Sequence, residues 1–169
     1  DDTAGALVAL HHLGPDDRQV QHAAENGLNW LLGVTNRDGG VPTFCRGWGR
    51  LPFDRSCADI TAHAMRAFCL WRRRVDAPLQ RRLGQGLAAG LHYLRDAQRT
   101  DGAWEPLWFG NEHADGHVNA VYGTARVLLS LQPLVDSGMQ DAAALCRNGV
   151  AFLRRAQGLS GGWGGDEDV

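Results

Sequence analysis

The apolar residues of this chain fall into six runs with helical spacing, and two kinds of run alternate. Runs of the first kind, 2–13, 58–74 and 119–134, are apolar almost all round; Ala58, Ile60, Ala62, Ala64, Met65, Ala67, Phe68 and Leu70 stand in one of them. Runs of the second kind, 16–33, 77–98 and 139–157, carry charges such as Arg81, Arg82, Arg95, Asp96, Arg154 and Arg155. A helix apolar around its whole circumference is buried, and a one-sided helix lies outside. The pattern predicts three helical hairpins, with parallel inner helices wrapped by outer ones. That is an all-α fold, an α/α toroid, of which three hairpins make about half of a six-pair barrel. Pro15 and Pro78 stand near starts of outer helices, where a missing N–H costs little, and Gly33 and Gly158 stand where such helices stop. No alternating strand pattern competes.

The hairpins repeat in sequence as well as in pattern. Thr3-Ala4, Thr61-Ala62 and Thr124-Ala125 open the inner runs at intervals of about 60 residues, too long for a coiled coil. Between them recur Gly27-Leu28-Asn29-Trp30-Leu31, Gly90-Leu91-His92-Tyr93-Leu94 and Gly149-Val150-Ala151-Phe152-Leu153, each followed by a Gly-bearing turn. Trp30, Tyr93 and Phe152 share one repeat position, which predicts packing between the helix layers. Two loops exceed what a hairpin needs. Asn36–Cys57 holds Phe44, Trp48 and Phe53; Thr100–Val118 holds Trp104, Trp108, Phe109, His113 and His117. Long ordered loops in compact folds tend to be functional, and both lead into an inner helix.

Aligning the copies on their threonines places candidate chemistry. Two residues before lie Asp1, Asp59 and Tyr122; one before, Asp2, Ile60 and Gly123; two after, Gly5, His63 and Arg126. On parallel helices ~8–10 Å apart these sit at equal heights. First turns favour anions. Two adjacent buried carboxylates cannot ionise independently, so one becomes an acid available near neutral pH. A neighbouring imidazole, His63, would then decide which oxygen carries the proton, with Asp59 orienting it or serving as an N-cap. The bland alternative is that Asp1-Asp2-Thr3 merely caps a helix and His63 is a satisfied core histidine.

Composition changes this picture little. With 169 residues, 44% of them hydrophobic, the chain is globular, and a net charge of −2 gives no reason to expect nucleic acid. Cys45, Cys57, Cys69 and Cys146 lack paired metal-type spacing, which predicts buried or half-buried free thiols. No apolar stretch approaches the ~18 residues of a spanning helix. Neither end reads as a capping repeat, so residues 1–169 are expected to be one partial toroid, completed by the remainder of the same polypeptide and inactive alone.

Taken in order, these residues resemble the squalene-hopene cyclase family of class II triterpene cyclases over essentially the whole chain. Asp1-Asp2-Thr3-Ala4 matches the end of that family's Asp-x-Asp-Asp-Thr-Ala motif. Asp59-Ile60-Thr61-Ala62-His63 matches its Asp-x-Thr-Ala-His segment, and Val118 to Thr124 its Val-Asn-Tyr-x-Tyr-Gly-Thr segment. Gln98 to Trp104 and Gln157 to Trp163 look like its repeated Gln/Trp turns, which tie an outer helix to the next loop. The resemblance implies that Asp1 protonates a terminal alkene, that Asp2 is its hydrogen-bonded neighbour, and that His63 raises its acidity. Tyr122 would serve the water network that restores the proton, and Phe44 would help stabilise a carbocation. Trp108, Phe109 and Asp59 complete the expected substrate-binding set. No cofactor or metal is implied. The implied substrate is a lipophilic polyprene such as squalene, drawn from the bilayer by an enzyme in peripheral contact with the cytoplasmic face of the cell membrane.

The departures bear on substrate. Asp1 opens the chain inside the acid motif. The first Gln/Trp turn has Thr35 and Val41 in the Gln and Trp places, and Gly116 stands where the family keeps a cavity tryptophan. Either the longer loop with Trp108 and Phe109 replaces that tryptophan, or the cavity is reshaped for another polyprene. Two rivals remain. A class II diterpene cyclase would use the same acid on a prenyl diphosphate, with a basic pocket and Mg²⁺; the arginine clusters on outer helices and helix ends speak against it. A toroid subunit of the protein-prenyltransferase type would bind zinc, for which Glu112-His113-Ala114-Asp115-Gly116-His117 is the ligand-rich stretch.

Overall fold

A computed structural model describes residues 1–46, 51, 53–111 and 115–164; Trp48, Glu112 and His113 lie outside the described residues. Six α-helices form three hairpins: α1 (Asp2–Leu13) with α2 (Arg18–Val34), α3 (Ala58–Trp71) with α4 (Ala77–Ala97), and α5 (Ala120–Asp136) with α6 (Gln140–Arg155). Helix α3 packs between α1 and α5, while α4 touches α2 and α6. The architecture is thus all-α and of α/α-toroid type, with α1, α3 and α5 as the inner layer.

The layers follow from where apolar side chains fall. In α3 nine residues are buried, and only the stripe Asp59, His63, Arg66, Cys69 and Leu70 keeps partial access to solvent. In α2 the buried set is Ala24, Leu28 and Leu31, a single stripe at helical spacing. Trp30 falls off that stripe and is 50% exposed, so it does not pack between layers as its repeat position suggests. Tyr93 and Phe152 are partly buried. The fully enclosed Trp71 donates its indole N–H to the Leu7 carbonyl oxygen at 2.8 Å, joining α3 to α1.

Local signals fix the ends. Asp17 accepts from the amides of Gln19 and Val20, and Asp76 from that of Leu79, with proline in the first turn of α4. Helix α2 runs through Gly33 to Val34, and the Thr35 hydroxyl closes it on the Leu31 carbonyl. Helix α3 stops at Trp71, three residues short of expectation, because Arg72–Arg74 turn away. Among the cysteines, Cys57 is buried and Cys69 and Cys146 partly so, but Cys45 is exposed. The first long loop also holds a short antiparallel pair, β1 (Val41–Pro42) with β2 (Ser56–Cys57).

Three devices set the inner helices level. First, the Gly turns lodge against the next outer helix. Gly39 and Gly102 have φ of +86° and +93°, and a Cβ on them would lie 2.4 Å from the Ala89 carbonyl oxygen and 2.5 Å from that of Asn148. Second, glutamine and tryptophan staple each turn. Gln98 donates to the carbonyls of Gly102 and Leu145, and Trp104 to Leu94; Gln157 and Trp163 repeat the pattern on Gly161 and Leu153. In the first copy Asn36 takes over, donating to Asp54 and Ser56. Third, the repeated threonines receive the turn. The Val41 amide donates to the Thr61 hydroxyl at 2.8 Å, and the Trp104 amide to that of Thr124 at 3.0 Å.

Candidate active site at the inner helix mouths

Asp1 occupies the N-cap position of α1, yet its side chain makes no capping bond. Asp17, Asp76 and Asn119, in the same role on other helices, all cap. The Asp1 carboxyl turns across to α3, with Oδ1 2.5 Å from Nδ1 of His63. The His63 side chain is 15% exposed and that of Asp1 53%. A Cβ at Gly5 would lie 3.5 Å from His63 Cε1, an ordinary contact, so α1 and α3 lie close at this level. Burial first, then the Arg126 charge on α5, pull the imidazole down from 6.5 to about 4; Arg66 acts the same way, against Asp59. The imidazole is therefore neutral near pH 7, and a single proton lies between Nδ1 and Oδ1.

The expected pair of coupled, buried carboxylates is absent. Asp2 is exposed on the first turn of α1, and His63 rather than Asp2 holds the Asp1 carboxyl. Asp59 neither caps α3 nor bonds His63. Cys57 takes the cap position and donates its thiol to Asp59 Oδ1 at 2.7 Å. Burial, then the Asp59 charge, push that thiol up to about 12, so it stays protonated and serves as a donor.

The aromatic candidates gather where the two long loops meet. Trp108 donates its indole N–H to the Thr43 hydroxyl at 2.6 Å, which ties the second loop to the residue before Phe44. Phe109 packs on Tyr122, ring centroids 5.3 Å apart and planes at 49°. Phe44 is 70% exposed and Phe109 65%. Tyr122 lies in the first turn of α5, across α3 from Asp1. Phe109 has φ of +63° and His117 of +55°, left-handed conformations that cost an ordinary side chain ~1–2 kcal/mol each. His117 is exposed, and among the described residues no three metal-ligating side chains gather.

Sequence reasoning missed two cations. Arg66 follows His63 by three residues on the half-exposed stripe of α3, and its Nε is buried without a hydrogen-bond partner. Among the described residues neither Arg66 nor Arg126 forms an ion pair. The alignment of copies already put Arg126 level with His63; only the role of that charge was left unread.

The helical-hairpin repeat thus brings a carboxyl, a neutral imidazole and an aromatic loop cluster to the mouths of its inner helices. The family model for the squalene-hopene cyclase C-terminal domain matches residues 1–169, and the chain belongs to that family. It is 28% identical to enfumafungin synthase of Hormonema carpetanum over 180 residues, covering 97% of this chain and 13% of that protein. It is 29% identical to a probable squalene–hopene cyclase of Sinorhizobium fredii over 182 residues, covering 98% and 25%. A drimenyl diphosphate synthase of Streptantibioticus cattleyicolor is 30% identical over 166 residues, covering 97% and 27%. The chain thus spans about a quarter or less of the length of these relatives.

Proposed function

We propose that the protein is a class II terpene cyclase that protonates the terminal alkene of squalene or a related polyprene and guides the resulting carbocation through ring closure. The observation that carries this reading is the Asp1 carboxyl turned off its own helix and onto a neutral His63. With Nδ1–H donating to Oδ1, the acidic proton sits on Oδ2, free to leave. That proton passes to the less substituted alkene carbon, whose π pair forms the new C–H bond and leaves a tertiary cation. Internal alkenes attack in turn, and loss of a proton or capture of water ends the sequence. The His63 bond stabilises the Asp1 carboxylate left behind, which raises the acidity of the donor. Aromatic faces at Phe44, Trp108, Phe109 and Tyr122 attract the moving charge without supplying a nucleophile that would trap it. Tyr122 also serves the return of the proton to Asp1, and the rest of the polypeptide supplies the remaining cavity wall.

A substrate this lipophilic resides in the bilayer, which supports peripheral contact with the cytoplasmic membrane face. No helix among the described residues is long and apolar enough to cross one. The test is to incubate the full-length protein with squalene and analyse the organic extract. Cyclic triterpenes are expected; squalene recovered unchanged, with no cyclic product from any polyprene, would end the reading.

A second reading is favoured by Arg66 and Arg126, two guanidiniums whose charges both act on His63 and which have no carboxylate partner among the described residues. Such charges suit a prenyl diphosphate, and the similarity to drimenyl diphosphate synthases points the same way. Farnesyl and geranylgeranyl diphosphate, assayed beside squalene, separate the two.

A further inference from the structure

We propose that Asn119 is a positioning residue that holds the Phe109 ring against Tyr122 as one wall of the reaction cavity, and so determines how far the cation travels before it is quenched. The inference rests on the cyclase reading above and adds to it a residue that touches no substrate.

The geometry is a clamp with two jaws. Asn119 is the N-cap of α5, and its Oδ1 accepts the Tyr122 amide at 3.2 Å. The same side chain uses Nδ2 to donate to the Phe109 carbonyl oxygen at 3.1 Å. One amide therefore fixes both backbones that carry the two tilted rings in contact. Gly110 and Asn111 lie close against His117. The Asn111 amide donates to the His117 carbonyl at 3.1 Å, and Gly110 lies so close that a Cβ would come within 2.6 Å of that oxygen. Phe109 itself is left-handed, a conformation that bulky residues rarely adopt and that persists only where surroundings over-determine it. The residue is nevertheless 65% exposed, so its burial does not compensate for the strain. Strain and exposure at one aromatic residue, beside Tyr122, are what a presented π face requires.

Because the two jaws use different atoms, they separate by mutation. Asn119→Asp keeps the acceptor for Tyr122 but puts a carboxylate oxygen against the Phe109 carbonyl, releasing the loop while retaining the cap. Phe109→Leu removes the π face and leaves the backbone bond. In the full-length protein, with whichever polyprene it cyclises, Asn119→Asp is expected to lower kcat about tenfold with KM changed less than about twofold. Tenfold corresponds to ~1.4 kcal/mol, within what an aromatic face contributes to a desolvated cation. Its products should shift toward species with fewer rings or an added hydroxyl. Phe109→Leu should give the same shift, and the double variant should be no worse than the poorer single one. Additive losses in the double variant, or an unchanged product distribution in Asn119→Asp, would overturn the proposal. A wild-type enzyme that cyclises nothing counts against the cyclase reading itself, whereas an active wild type with indifferent Asn119 variants counts against the clamp alone. Asn119→Ala, which loses both jaws, should lower the melting temperature as well as alter products; Asn119→Asp should alter products with the melting temperature held.

Discussion

Thr61→Val probes the device that brings His63 to Asp1. The Thr61 hydroxyl accepts the Val41 amide at 2.8 Å and donates to the Cys57 carbonyl at 2.6 Å. Thr61 is 1% exposed and Val41 4%, so no solvent stands ready to replace the lost partner. The Cys57 carbonyl, at the N-cap of α3, already receives the first helical bond and is not orphaned. The Val41 amide is, and an unsatisfied buried donor costs ~1–3 kcal/mol. Taking ~2 kcal/mol, local opening of the loop rises about 30-fold. Hydrogen exchange at the Val41 amide of the full-length protein should accelerate by about that factor, with kcat falling as the α3 mouth loses its register. Thr61→Ser keeps the oxygen and should exchange within about threefold of wild type. Unchanged protection in the valine variant, or equal damage in the serine variant, would show that the hydroxyl bond does not hold the mouth in place.

Other consequences follow from the same geometry. The folded-state value of His63 is depressed to about 4 from 6.5, so the unfolded chain takes up the proton first. Stability from this group is complete above pH 6.5 and is lost as pH falls toward 4, by no more than ~3 kcal/mol before solvent screening. Urea unfolding of His63→Gln should show a flatter profile over that window; an identical slope would remove His63 as the cause. Gly102→Ala should cost at least ~2 kcal/mol, since φ is +93° and its Cβ would meet the Asn148 carbonyl at 2.5 Å. Gly138→Ala, with φ of +87° and open space around it, should cost only ~1 kcal/mol, and equal melting temperatures for the two would refute the packed-turn account.

The helices and their layering were legible because burial on an inner helix demands apolar residues on most sides, and nothing on the outer helices mimics that. The shared register of Asp1, Asp59 and Tyr122, and of Gly5, His63 and Arg126, was legible because repeats align themselves. Four things were not. Whether Asp1 caps or reaches out depends on the distance to His63, a tertiary fact. Asp59 looked free to orient the imidazole, but a thiol two residues earlier claims it, and Cys57 carried no sequence signal beyond being buried. Trp30 shares a repeat position with Tyr93, yet each helix turns its own stripe inward, and in α2 that stripe is Ala24, Leu28 and Leu31. The Asn119 clamp was hidden for a similar reason: an N-cap asparagine is expected to satisfy its own helix, and its second amide atom is free to reach any chain that passes.

The most direct test of the central claim is turnover by full-length Asp1→Asn. The amide keeps the shape and an oxygen for the His63 contact but has no proton to give. Cyclic product should fall below detection while the melting temperature stays within a degree or two of wild type. An Asp1→Asn enzyme that still forms rings at an appreciable fraction of the wild-type rate would show that the proton comes from elsewhere.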